Sequence, residues 1–312
     1  MRPDLDTKLR SLLLGTIPSL VVESCGGAKV LAVMDTTEFN RASQAVWDAM
    51  APGWDHRNAY FEERARPVTE RMLERLAPAR GEAILELAAG TGLVGFAAAA
   101  LVGSGGRVIV SDFSTAMVEV AERHANELGL ENVECRVLDA GRLDLADKAV
   151  DGVLCRWGYM LMADPPAAFA ETRRVLRPGG RLSCAVFAGP EQNPWAALPS
   201  RVLQERGYMP PPEAGAPGIL ALADRDRLRR LFAGAGFSDP QIEEVAFTWY
   251  FRDVDDYWEF LAGAAGAIAV VLGRVEDDER RHIREQIAER VASFVSGGRI
   301  ELPAVSLVVS GS

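Results

Sequence analysis

The chain has 312 residues, 48% hydrophobic and 25% charged, enough to bury a large core, which excludes a disordered or fibrous polymer. A net charge of −10 opposes a nucleic-acid phosphate backbone as partner, and no apolar run is long enough to span a bilayer. Cys25, Cys135, Cys155 and Cys184 form no CxxC and have no histidine at ligand spacing, so reduced thiols, no metal and a cytoplasmic location are expected.

Residues 1–33 read as an N-terminal extension of unknown role. Lys8 and Arg10 precede the apolar stretch SLLLGTIPSLVV, but Asp4, Asp6 and Pro18 argue against a secretory signal. From Met34 the text changes. Apolar residues recur at three and four from Arg41 to Met50 and from Tyr60 to Leu76, which predicts two amphipathic helices joined by the turn-like APGWDHRN. Residues 34–79 are the expected helical unit.

Strand and helix then alternate through residues 80–190. The strands are EAILELA, GRVIVSD, NVECRVLDA, DGVLCRW and GRLSCAVFA. Helices are predicted through Ala97–Leu101, over Ser114–Leu128, and from Asp164-Pro165-Pro166 to before Pro178. Uniformly apolar strands separated by helices predict a parallel sheet covered on both faces. Residues 191–312 read as the rest of the same domain. They hold a Pro/Gly-rich loop at Met209–Gly218 and helices near Asp224–Ala235, Val254–Leu272 and Glu276–Ser296. Two more strands are expected, IEEVAFTWYF and IELPAVSLVVS. The basic RDRLRR (Arg225–Arg230) reads as a solvated helix face.

The chemistry lies at strand ends. ILELAAGTGLVGF contains Gly90-x-Gly92-x-x-Gly95, which suits a tight turn into a helix whose free N–H groups face an anion. Asp112 ends the second strand, where a carboxylate can accept from ribose hydroxyls, and Asp139 ends the third. The spacing permits NAD. Glu86, four residues before Gly90, opposes a pyrophosphate and attracts an ammonium. An amino-acid head plus a ribose describes S-adenosyl-L-methionine.

On ELAAGTG (86–92), SDFSTAMVEVA (111–121), LDAGRLD (138–144), DGVLCRW (151–157) and RRVLRPGGRL (173–182), the chain resembles class I S-adenosylmethionine-dependent methyltransferases, close to the ubiquinone/menaquinone group. The resemblance implies a Rossmann-like, doubly wound, seven-stranded, mostly parallel α/β sheet with the last strand antiparallel and an N-terminal helical lid. It implies Glu86, Ala88, Gly90 and Gly92 around the methionine moiety, Asp112 at the ribose, and Phe113, Met117, Asp139 and Ala140 around the adenine. Thr91 and Arg156 complete the expected cofactor set.

The quinone enzymes carry an Arg-Asn pair soon after the fourth strand. Here RWGYMLM (156–162) stands instead, which predicts an apolar or aromatic acceptor pocket. His56 is the candidate base, with Tyr60 and Tyr159 as orienting groups; an exposed loop histidine and packed tyrosines are the alternatives. His124 and His282 are expected to be solvated. The acceptor is expected to be a small molecule. An NAD(P)-dependent oxidoreductase, a non-catalytic cofactor-binding regulator and a protein or RNA methylase stay open, as does assembly as a homodimer.

Overall fold

The computed structural model describes the backbone of residues 21–25, 28–32, 36–213 and 215–312, and side chains from residue 36 onward except at position 214. The signal-like stretch falls mostly outside the described residues, as does the boundary at Met34. Strands β1 (Val21–Cys25) and β2 (Ala28–Ala32) pair antiparallel as a separate two-stranded ribbon.

Two long helices follow, α1 (Thr36–His56) and α2 (Asn58–Leu76). The predicted turn APGWDHRN is helical almost throughout, and the chain breaks only at Arg57. Packing overrides local preference here. Pro52 lies inside α1, and the Trp54 ring behind it stacks on Phe61 of α2 at 4.2 Å. Gly53 permits a close crossing, since a Cβ there would stand 2.4 Å from the Gly263 carbonyl oxygen.

The main sheet is built from β3 (Ala83–Glu86), β4 (Arg107–Asp112), β5 (Val133–Val137), β6 (Val150–Arg156), β7 (Leu176–Phe187), β8 (Gln241–Phe251) and β10 (Arg299–Gly311). Their order is β5-β4-β3-β6-β7-β10-β8, and only β10 runs antiparallel to its neighbours. This is the expected Rossmann-like arrangement, with one addition: two-residue β9 (Val295–Ser296) pairs with the start of β10. β3 and β6 are neighbours although two strands separate them in sequence. The winding reverses there, and such a reversal leaves a crevice at the carboxyl ends of the strands.

Helices α3 (Leu93–Val102), α4 (Thr115–Glu127) and α5 (Pro165–Val175) cross between the parallel strands. Ser114 caps α4 by accepting from the Met117 N–H, and Asp164 caps α5 in the same way from Ala167. Three features of the C-terminal part differ from the sequence expectation. A helix α6 (Pro194–Glu205) follows Asn193, where no helix was expected. The helix expected over Val254–Leu272 is two, α8 (Val254–Ala264) and α9 (Ala267–Leu272), broken at Gly266, whose φ is +57°. The last helix, α10 (Asp277–Val291), ends before the expected Ser296. Between α6 and β8, α7 (Arg225–Gly234) turns Leu228 and Phe232 inward and exposes Arg229 and Arg230, while Arg225 pairs with Glu244 and half-buried Arg227 donates to the Ala221 carbonyl, so the expected solvated basic face is only partly realised.

Candidate functional site

The glycine turn after β3 is conformationally demanding. Gly90 and Gly92 have φ of +55° and +89°, and Ala88 is held at +49°. Gly95 brings α3 hard against the sheet: a Cβ there would lie 2.6 Å from the Glu86 carboxylate and equally close to Val110. The Gly95 N–H donates to Glu86 Oε2 at 2.6 Å. A first-turn N–H of α3 is therefore already taken by a carboxylate, which leaves the helix end poorly suited to a pyrophosphate.

Glu86 is buried, and burial pushes its pKa up to about 8 against the pull of Arg156 and the Gly95 N–H. Arg156 is itself lowered to about 10 by burial, with Glu86 pulling the other way. It donates to Thr69 Oγ1 at 2.8 Å and lies 5.0 Å from the Trp157 ring centre. Asp112 accepts from the Gly90 N–H and the Ser114 N–H, each at 2.9 Å. Burial still raises it to about 6. Asp139 accepts from the Gly141 N–H at 2.8 Å and from the Asn40 amide at 3.0 Å.

A cavity of about 460 Å³ runs over these strand ends. Glu86, Ala88, Gly90, Asp112, Phe113, Met117, Asp139, Ala140 and Arg156 line it, as the sequence suggested. Thr91 and Gly92 do not. The Thr91 hydroxyl is turned away to donate to Asn58 Oδ1 at 2.7 Å, and Gly92 caps α3 beneath the Phe96 ring. Two carboxylates at one end and an apolar slot of Phe113, Met117, Leu138 and Ala140 at the other fit an ammonium, a ribose and an adenine in that order. The donor set fits S-adenosylmethionine and fits NAD poorly.

The three expected catalytic groups are elsewhere. His56 is exposed at the end of α1 and faces neither cavity. Tyr60 donates to the Tyr250 carbonyl at 3.0 Å among Trp249, Phe251 and Phe260, and burial pushes its phenol up. Tyr159 is fully buried, stacked on Phe169 at 4.2 Å and 2.5 Å from Thr172 Oγ1; its phenol is raised too. Both tyrosines pack among other rings and line neither cavity. His124 is also not solvated as expected: its Nε2 meets Asp55 at 2.9 Å.

The sequence reading expected a helical lid here but missed the α1 residues that fasten it. Asn40, Gln44, Asp48 and Asp55 lie at intervals of four, four and seven on one face. Gln44 donates to the Phe113 carbonyl, Asp48 accepts from Ser114 Oγ at 2.6 Å, and Asp55 bridges Arg123 and His124 on α4. These bonds fasten α1 across the cofactor end of the cavity. Phe39, Trp47 and Trp54, on an adjoining face, look into it. The polar stripe at helical spacing was the available signal.

A second cavity of about 170 Å³ adjoins the first and shares Phe39, Ser43, Trp47, Trp54, Trp157 and Leu161 with it. Phe187, Trp195, Trp249, Phe260 and the α8–α9 junction at Ala264–Ala267 complete a largely aromatic wall.

A family model described as a methyltransferase domain matches residues 84–180. The chain is 34% identical over 182 residues to a demethylmenaquinone methyltransferase of Clavibacter sepedonicus, a match covering 57% of this chain and 67% of the relative. It is 29% identical over 280 residues to a nocamycin O-methyltransferase of Saccharothrix syringae, covering 82% and 92%. The fold is shared with the YcgJ protein of Bacillus subtilis, at 20% identity and a TM-score of 0.54 over 78% of this chain and 96% of that one.

Proposed function

The chain belongs to the class I S-adenosylmethionine-dependent methyltransferases, and we propose that it methylates a small hydrophobic molecule with an aromatic or conjugated ring. The observation that carries this reading is the second cavity. It opens onto the cofactor cavity at Trp54 and Trp157 and is walled by rings. A flat apolar guest buries its faces there against partners of matching shape.

The residues fit the division of labour. Glu86 would hold the ammonium of the cofactor, Asp112 the ribose, and Asp139 with Phe113 and Met117 the adenine. When bound, the cofactor supplies a methyl group activated by its sulfonium. The chain's own residues orient the acceptor, hold it near the methyl and exclude water. Apolar rings achieve the last of these. His56, Tyr60 and Tyr159 line neither cavity.

The acidic chain and its aromatic cavity favour a small molecule over a nucleic acid. Among the described residues no helix is long and apolar enough to cross a membrane. Cytoplasmic residence belongs to the same reading, supported by Cys155 and Cys184 lying buried and unpaired; so does the option of a homodimer.

Calorimetric titration with S-adenosylmethionine, S-adenosylhomocysteine and NAD, with Asp112→Ala as control, tests the cofactor assignment. Methyl turnover across a panel of flat aromatic compounds and of polar aliphatic amines tests the acceptor. Turnover confined to the amines would overturn the proposed class.

A further inference from the structure

The wall of the second cavity is of two kinds. Most of it is large side chains, rings such as Trp54, Trp157 and Trp249 among them. One segment is different. Where α8 gives way to α9, the lining residues are Ala264, Ala265, Gly266 and Ala267, none with a side chain larger than a methyl group. Gly266 has φ +57° and ψ −125°, a conformation that favours glycine, and a Cβ added there would meet no atom within 4 Å. The break in the helix therefore leaves space at the wall instead of filling it. Among the described residues none of the side chains lining the cavity is titratable. With no charge to select by, such a wall discriminates by shape.

The junction is held from both ends. Before it, α8 crosses α1 so closely at Gly263 that a Cβ on Gly53 would stand 2.4 Å from the carbonyl oxygen. After it, Ala269 of α9 packs with Met50 of α1 and Met117 of α4. An outward shift to admit a larger guest would have to disturb both contacts. The space so bounded is about 170 Å³. An apolar cavity of about 150 Å³ holds benzene.

We propose that the α8–α9 junction, Ala264 to Ala267, is the size-determining wall of the acceptor site: it leaves room in the aromatic cavity for one ring with a small substituent and turns away fused rings. This rests on the methyltransferase reading and narrows its acceptor class. The rings of the wall supply the apolar surface that holds the guest, and the junction sets how much guest there is to hold.

The test uses the full-length protein saturated with S-adenosylhomocysteine. Calorimetry compares p-cresol, one ring with a methyl group, with 2-naphthol, two fused rings. An apolar site without a size limit would favour 2-naphthol by roughly fiftyfold for its added area. The native protein is expected to bind it no tighter than p-cresol. Ala264→Val adds carbons at the buried end of the junction and Ala267→Leu at its exposed end. Each is expected to weaken p-cresol binding at least about fivefold. Affinity for adenosylhomocysteine is expected to stay as it was, because none of these four residues lines the cofactor cavity. Tighter binding of 2-naphthol than of p-cresol by the native protein overturns the proposal, and so does p-cresol binding that is unchanged in both variants. If Ala264→Val does not fold, the native comparison and Ala267→Leu decide. A native protein that takes up adenosylhomocysteine but neither ring compound overturns the proposal together with the acceptor role of this cavity. Failure to bind adenosylhomocysteine would count against the methyltransferase reading instead.

Discussion

Glu86 is the residue in which fold and function conflict most openly. Its folded pKa of about 8 lies above the ordinary 4.5. The stability it contributes is therefore fully present below about pH 4.5 and is lost as pH rises toward 8. Glu86→Gln is expected to melt higher than the native protein, by a margin that grows from pH 5 to pH 8 and reaches on the order of a few kcal/mol. The same substitution is expected to weaken adenosylhomocysteine binding at least about tenfold, because the ammonium loses its counter-charge. Thermal melts across pH and calorimetry read the two effects separately. A melting temperature that falls at every pH would show that the carboxyl supports the fold. Tyr159 makes the opposite case. Tyr159→Phe removes the bond to Thr172 and is expected to cost about 1 kcal/mol of stability while leaving kcat and KM unchanged. A large fall in kcat in a well-folded variant would return it to the catalytic set.

Among the elements, α1 is the one whose placement governs both cavities. It is fastened to the cofactor side by Asn40, Gln44, Asp48 and Asp55, and it crosses α8 at Gly53. Gly53→Ala would put a methyl group into the Gly263 backbone, which has no flexible end to yield. The expected loss is about 1–3 kcal/mol, with faster hydrogen exchange along α1 and weaker acceptor binding. Unchanged exchange would show that the crossing has slack. This element also shows where the sequence could be read and where it could not. Acids and glycines at strand ends carry their meaning locally, so Glu86, Gly90, Asp112 and Asp139 were legible. The stretch WDHRN carries local turn signals that distant packing overrules. Trp54 is held by Phe61 and Trp47, contacts no local pattern announces. Reading the stretch as a loop made His56 a catalytic candidate; as helix, the same stretch leaves His56 outside. Helix α6 and the break at Gly266 escaped for a similar reason, since Pro199 lies inside the helix and Gly266 interrupts an otherwise helical pattern.

At the scale of the whole molecule, the adjoining cavities share a wall, so ligands in them are expected to be coupled. Adenosylhomocysteine is expected to tighten binding of an aromatic acceptor analogue, and the analogue to tighten adenosylhomocysteine by the same factor. Titrations in both orders check this; equal affinity with and without the partner would mean that the shared residues transmit nothing. Adenosylhomocysteine at a hundredfold excess over its Kd is expected to add about 2.7 kcal/mol and raise the melting temperature by roughly 5 °C, with NAD leaving it unmoved.

The main sheet is open, and its two outermost strands are β5 and β8. Each carries charged residues. On β5, Glu134 and Arg136 stand at the solvent side; on β8, Glu243 meets Arg71 and Arg75 while Glu244 meets Arg225. Such residues discourage another copy from adding its own strand to the row of free backbone groups. The protection is electrostatic and therefore conditional. Near the sequence pI of about 5.0 the repulsion between copies vanishes, so acid storage and concentrated acid buffers are where this protein is expected to aggregate first.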